Sequence, residues 1–195
     1  MSIVKAKQAA RNDAKRALAG VTPPEVAERS ARACAWLIDR WPEPEAVMAY
    51  LAMPQEADPA GAIAFWRARG VTVCVPRTDW NARTMEPAVL GGRVVDGPKG
   101  IREAELTQPT LPLERLDLVI VPGLAYTCSG GRLGRGAGFY DRFLARLEPS
   151  TVRVGLALGV QMREELPTEP TDLPVDWVVT EDGAAPCRTG QHGLG

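Results

Sequence analysis

"GGRLGRGAGFYDRFLARL" (residues 130–147) follows almost directly on "DLVIVPGLAY" (117–126). Five glycines, two arginines and an aspartate fall within the first twelve positions of the later stretch. Ordering glycine on folding carries an entropic cost, so a run of this kind is either a disordered Arg/Gly tract or a loop whose backbone must approach something closely. The earlier stretch favours the loop. "LDLVIVP" is an unbroken apolar run, the pattern of a strand buried on both faces in a parallel sheet. "FYDRFLARL" has the spacing of an amphipathic helix.

The same alternation of strand and helix runs along the rest of the chain. Residues 5–18 read as a helix, the most basic element, carrying Lys5, Lys7, Arg11, Lys15 and Arg16. "TPPEVAERSARACAWLIDRW" reads as a second helix, with Thr22 as N-cap, Pro23 in the first turn and Glu25 placed for a capping box. "AVMAYL" has strand composition, and "ADPAGAIAFWRARG" predicts a helix capped by Asp58 and stopped by Gly70. "VTVCVP" predicts a strand ended by Pro76. Residues 77–112, rich in Gly and Pro, predict short strands and long loops. Beyond the glycine loop come a strand, "TVRVGLAL", a short helix, "QMREEL", and a last strand, "VDWVVT". The expected fold is a single α/β domain over 1–195, a three-layer α/β/α sandwich with a mostly parallel sheet, and a flexible tail from about residue 183.

Composition narrows the function. A formal net charge of -1 argues against a protein that coats nucleic acid. No apolar run is long enough to span a bilayer, and the basic start lacks the apolar stretch of a secretory signal, so a cytoplasmic protein with no membrane partner is expected. Cys34, Cys74, Cys128 and Cys187 have no metal-ligand spacing and are expected to be reduced and mostly buried. The one histidine, His192, lies in the polar tail, which excludes Ser-His, Cys-His and His-ligated metal chemistry.

A strand, a glycine-rich turn and a helix together put backbone N–H groups against an anion. The Walker pattern fails because Ala137 and Gly138 stand where Lys and Ser/Thr are required. The dinucleotide fingerprint fails because Phe139 replaces its third glycine. Phosphate binding, a purely structural loop and an RGG-like RNA-binding tract all remain open, with the strand and helix on either side counting against the last. Glu56, Asp141 and Asp172 taken singly read as ordinary solvated or first-turn carboxylates. Lys7 and Arg11 lie one helical turn apart and share a face.

The run Pro-Gly-Leu-Ala-Tyr followed by Gly-x-Arg-Leu-Gly-x-Gly-x-Gly-Phe-Tyr-Asp resembles the signature of the 5-formyltetrahydrofolate cyclo-ligase (methenyltetrahydrofolate synthetase) family. "YLAMPQEAD", "VPR", "GPKGIRE", "VGLALGVQ" and "LPTEPTDLPVDWVVTED" follow the family order, so the resemblance covers roughly residues 5–182. One departure is Thr171, where many bacterial members carry His. The resemblance implies ATP as co-substrate, Mg²⁺, and conversion of 5-formyltetrahydrofolate to 5,10-methenyltetrahydrofolate with release of ADP and phosphate. It implies nucleotide contacts from Lys7, Arg11 and the segment Arg132, Leu133, Gly134, Arg135, Gly136, Ala137, Gly138, Phe139 and Tyr140. Arg11, Leu51, Glu56 and residues 135–139 are expected to meet the folate, and Asp141 and Asp172 to hold Mg²⁺. Arg135 and Tyr140 are expected to be catalytic. The partners implied are small molecules acting on a monomer, with no nucleic acid. A paralogue in thiamin-related metabolism and a non-catalytic nucleotide- or RNA-binding module are the alternatives.

Overall fold

The computed structural model of the chain describes residues 2–187. Helix α1 (Ile3–Ala19) carries one face on which Lys7, Arg11, Ala14 and Leu18 follow one another. The apolar half of that face is buried in the core, and so is Lys7. Helix α2 (Pro23–Arg40) starts where expected: the Glu25 carboxylate accepts hydrogen bonds from Thr22 N at 2.8 Å and Thr22 Oγ1 at 2.7 Å. The elements that follow are β1 (Ala46–Met48), α3 (Ala60–Ala68), β2 (Thr72–Asp79), β3 (Thr84–Val89), β4 (Val94–Asp96) and β5 (Arg102–Ala104). Next come β6 (Leu118–Val121), β7 (Ala125–Thr127), β8 (Arg132–Leu133), α4 (Phe139–Leu144), β9 (Val152–Leu156), β10 (Met162–Arg163), β11 (Trp177–Thr180) and β12 (Gly183–Pro186).

Seven strands form the main sheet in the order β12-β11-β9-β6-β1-β2-β3. Its five inner strands are parallel, and the two edge strands, β12 and β3, are antiparallel. Strand β6 sits at the centre with all four residues buried, which is why its sequence is apolar without alternation. Leu118 and Ile120 face the core formed with α1, α2 and α3. Val119 and Val121 face the opposite core, with Phe143 and Leu144 of α4. The three layers follow from that alternation. No helix among the described residues is long and apolar enough to cross a membrane.

Several local expectations are corrected. "DLVIVPGLAY" is two strands, because Pro122 and Gly123 end β6 and the chain turns into β7 of a separate three-stranded sheet, β10-β7-β8. Pro76 does not end β2. It lies opposite Pro87, whose carbonyl turns away to accept Leu111 N at 2.9 Å, so neither ring removes a hydrogen bond from that pair. Asp58 does not occupy the N-cap of α3, which is Pro59, although its Oδ1 accepts Ala60 N at 3.0 Å. "QMREEL" is no helix. The buried Gln161 amide accepts Leu158 N at 2.7 Å and donates to Gly123 O at 2.7 Å, which pins a 3₁₀ turn that leads into β10. Helix α4 is short, at six residues. The expected tail is ordered at its start, since Gly183–Pro186 pairs with β11 along four residues. Cys128 is exposed and Cys187 partly so, leaving only Cys34 and Cys74 buried. His192 lies outside the described residues.

The two sheets meet where the fully buried Tyr126 ring lies over Gly155 of β9, its hydroxyl donating to Val121 O at 2.7 Å. A Cβ on Gly155 would stand 2.5 Å from that ring. Gly155→Ala should therefore lower the unfolding free energy by about 1–3 kcal/mol, the usual range for overpacking, as read from urea denaturation.

Candidate functional site

In an open α/β sheet, ligands bind beyond the carboxyl ends of the strands, where the strand order reverses. Here the order reverses between β1 and β6. A cavity of about 380 Å³ opens there, lined by Tyr50 and Leu51 beyond β1, Pro122 and Gly123 beyond β6, and Thr78 and Trp80 around the end of β2. Into its wall the fold brings Lys7 and Arg11 from α1, Leu51 and Glu56 from the β1 loop, all of Arg132–Asp141, and Asp172. These segments are far apart in sequence.

The glycine stretch divides in two. Gly130 and Gly131 belong to the β7–β8 turn, where Gly130 N bonds Thr127 O at 3.0 Å. Gly134–Gly138 form the loop that faces the cavity. Gly136 has φ 98°, and a Cβ there would lie 3.3 Å from the Arg11 guanidinium carbon. The left-handed backbone calls for glycine, and the missing side chain leaves room for Arg11, whose Nε donates to Gly134 O at 3.0 Å.

Arg135, Arg132 and Lys7 each meet an acid, while Arg102 Nη2 donates to Ala52 O at 3.2 Å. Arg135 donates from Nε at 3.0 Å and from Nη2 at 2.8 Å to Glu56 Oε1. The Glu56 side chain is only 10% exposed, and its Oε2 accepts Met53 N at 2.9 Å. Arg132, 3% exposed at the side chain, reaches Asp141 Oδ1 at 2.5 Å in the first turn of α4. Lys7 Nζ lies 2.5 Å from Asp172 Oδ2 and 2.6 Å from Glu169 Oε2. Burial pulls the Lys7 ammonium down, but the hydrogen bonds and charges of Asp172 and Glu169 outweigh it and raise its pKa above the ordinary 10.5. The stabilisation is therefore complete below pH 10.5 and is lost as pH climbs through the raised value. Tyr140 Oη is buried with no hydrogen-bond partner among the described residues. Burial pushes this phenol well above its ordinary 10.0 against the opposing charge of Arg132, so it remains a donor at neutral pH.

A model of the 5-formyltetrahydrofolate cyclo-ligase family matches residues 3–181. The chain belongs to that family. It is 46% identical over 78 residues to the 5-formyltetrahydrofolate cyclo-ligase of Haemophilus influenzae, covering 39% of this chain and 42% of that one. It is 31% identical over 115 residues to the mouse (Mus musculus) 5-formyltetrahydrofolate cyclo-ligase, covering 57% and 49%. The chain thus spans less than half the length of these curated relatives. In fold it is similar to the 5,10-methenyltetrahydrofolate synthetase of Aquifex aeolicus, with TM-score 0.79, 23% identity, and coverage of 97% of this chain and 96% of that one. The synthetase from Mycoplasma pneumoniae gives TM-score 0.72 at 17% identity, over 90% and 98% of the two chains.

Part of this cyclo-ligase-family site was not foreseen from the sequence. Trp80 and Phe139 meet edge-on with ring centroids 4.8 Å apart, and Met85 and Ile101 extend the apolar wall. Trp80 falls in the 77–112 stretch, where the sequence predicts only short strands and long loops. Glu169 was missed altogether. Arg132 lines the cavity, with its guanidinium buried against Asp141 and Pro122 O. The described residues include no group of three or more His, Cys, Asp or Glu side chains able to cage a cation. Two cavity carboxylates suit a magnesium ion only where phosphate oxygens supply further ligands.

The ion pairs make the two aspartates unequal. Asp141→Asn leaves the buried Arg132 without its counter-charge and should lower the unfolding free energy by about 1–3 kcal/mol. Asp172→Asn should cost less, because Lys7 keeps Glu169. Chemical denaturation of the two variants checks the order.

Proposed function

We propose that this chain is an ATP-dependent 5-formyltetrahydrofolate cyclo-ligase, forming 5,10-methenyltetrahydrofolate and releasing ADP and phosphate. The observation that carries the reading is the cavity itself. It combines a glycine loop and basic side chains, among them Lys7, Arg11 and Arg135, with an apolar wall of Trp80, Phe139, Met85 and Ile101. The first set suits a polyphosphate and the second a flat heteroaromatic ring. Membership of the family joins the two ligand types in one reaction.

The chemistry needs placement and charge neutralisation rather than a side-chain nucleophile. The formyl oxygen attacks the terminal phosphorus of ATP, and the bond to ADP breaks. The second folate nitrogen then attacks the activated formyl carbon and gives up its proton to the departing phosphate or solvent, and the C–O bond breaks to release phosphate as the ring closes. Arg135, 45% exposed at the side chain, is the cation with freedom to leave Glu56 for the transferring group. Glu56 then has a free oxygen directed at the folate end. Arg11, whose guanidinium meets a carbonyl rather than a carboxylate among the described residues, carries its charge to the phosphates. Tyr140 offers its buried hydroxyl as a hydrogen-bond donor, which removes an unmet polar group when ligand binds. Asp141 and Asp172 would hold Mg²⁺, which when bound neutralises charge on the phosphate oxygens.

The direct test follows methenyltetrahydrofolate absorbance after mixing the protein with 5-formyltetrahydrofolate, with and without ATP and Mg²⁺. Product that depends on both supports the proposal, and no product under any condition overturns it. Arg135→Ala should slow ATP-dependent turnover about ten- to a hundredfold, the worth of one charge-assisted hydrogen bond. Turnover close to wild type would remove Arg135 from the mechanism.

A further inference from the structure

Glu169 occupies an unusual place beside the cavity. It is not part of the lining, yet it touches both charged groups that line this side of it. Its carboxylate accepts Lys7 Nζ at 2.6 Å, and its backbone N–H donates to Asp172 Oδ2 at 2.7 Å. The turn closes with Asp172 N donating back to Glu169 O at 2.9 Å. The Glu169 side chain is 40% exposed against 20% for Asp172, so Lys7 is gripped from the solvent side by one acid and from the cavity side by the other.

We propose that Glu169 is a positioning residue that keeps Lys7 at the cavity wall while Asp172 exchanges Lys7 for an incoming polyphosphate and its cation. The inference rests on the nucleotide-binding reading above. With Asp172 as its only counter-ion, Lys7 would close into a single tight pair that a nucleotide must break outright. With Glu169 present, the ammonium retains one carboxylate throughout and gains phosphate oxygens as Asp172 turns away. A buried ammonium stripped of every counter-charge is strongly disfavoured, so the second acid lowers the barrier to exchange. Glu169 acts through Lys7 and never touches the reacting atoms.

The test uses the full chain and reads ATP binding in the presence of Mg²⁺ by calorimetry, with 5-formyltetrahydrofolate binding as the internal comparison. Glu169→Gln preserves the backbone N–H that holds Asp172 and removes only the charge facing Lys7. ATP affinity should fall about three- to tenfold, modest because this acid is partly exposed, while folate affinity holds. Glu169→Asp should recover most of the loss. In a Lys7→Ala background, Glu169→Gln should have no further effect, as expected of residues acting as one unit. Labelling of Lys7 by an amine-reactive ester, read by peptide mass spectrometry, should rise in Glu169→Gln without any ligand. Unchanged ATP affinity and unchanged labelling in Glu169→Gln would overturn the proposal. Equal losses of ATP and folate affinity with a lowered Tm would also overturn it, in favour of a structural role. If the wild-type chain fails to bind ATP, the functional reading falls instead, and the labelling still decides whether Glu169 holds Lys7.

Discussion

Cations placed beside the carboxyl ends of a parallel sheet must be neutralised if the chain is to fold around them without a ligand. Three are neutralised by carboxylates brought from other segments: Lys7 by Asp172 and Glu169, Arg132 by Asp141, and Arg135 by Glu56. A buried charge without such a partner costs several kcal/mol, so these pairs decide how the glycine loop, helix α1 and the turn around Asp172 can be assembled. The Arg135–Glu56 pair fastens the loop to the segment beyond β1. The Lys7 pairs fasten the first helix to the turn before β11. The cavity is what these clasps surround.

The same pairs organise function. A polyphosphate competes for the bases, and a divalent cation competes for the acids. Mg²⁺ and nucleotide arriving together can therefore take the place of Asp172 at Lys7 and of Glu56 at Arg135 without leaving a charge bare. Arg11 meets the Gly134 carbonyl and no carboxylate among the described residues, so it can meet a phosphate with no acid to displace. Arg132 stands at the other extreme, too enclosed to be released at little cost, and it holds Asp141 in place instead.

What could be read from the sequence follows the range of the forces involved. The "LVIV" of β6 was legible because a strand buried on both faces has no polar positions to spare, and its central place followed. The glycine loop was legible because few other roles require so many glycines between a strand and a helix. Motif resemblance supplied Lys7, Arg11, Glu56, Asp141 and Asp172, which the residues alone left as ordinary surface charges. The ion pairs were not legible. Lys7 and Asp172 are 165 positions apart, and nothing local to either marks the other as its partner. "QMREEL" misled for a related reason, since the Gln161 amide is claimed by Gly123, 38 residues earlier. Helical propensity is weak beside a buried hydrogen bond of that kind.

The central claim is that Lys7 and Arg135 each exchange an acid partner for the phosphates, which Arg11 also meets. A crystal structure with Mg²⁺ and a non-hydrolysable ATP analogue tests it most directly. The account predicts the triphosphate along Gly134–Gly138, with Lys7, Arg11 and Arg135 nitrogens about 2.7–2.9 Å from its oxygens and the Arg135–Glu56 contact broken. A nucleotide bound elsewhere, or one bound at the loop with all three ion pairs intact, would contradict it.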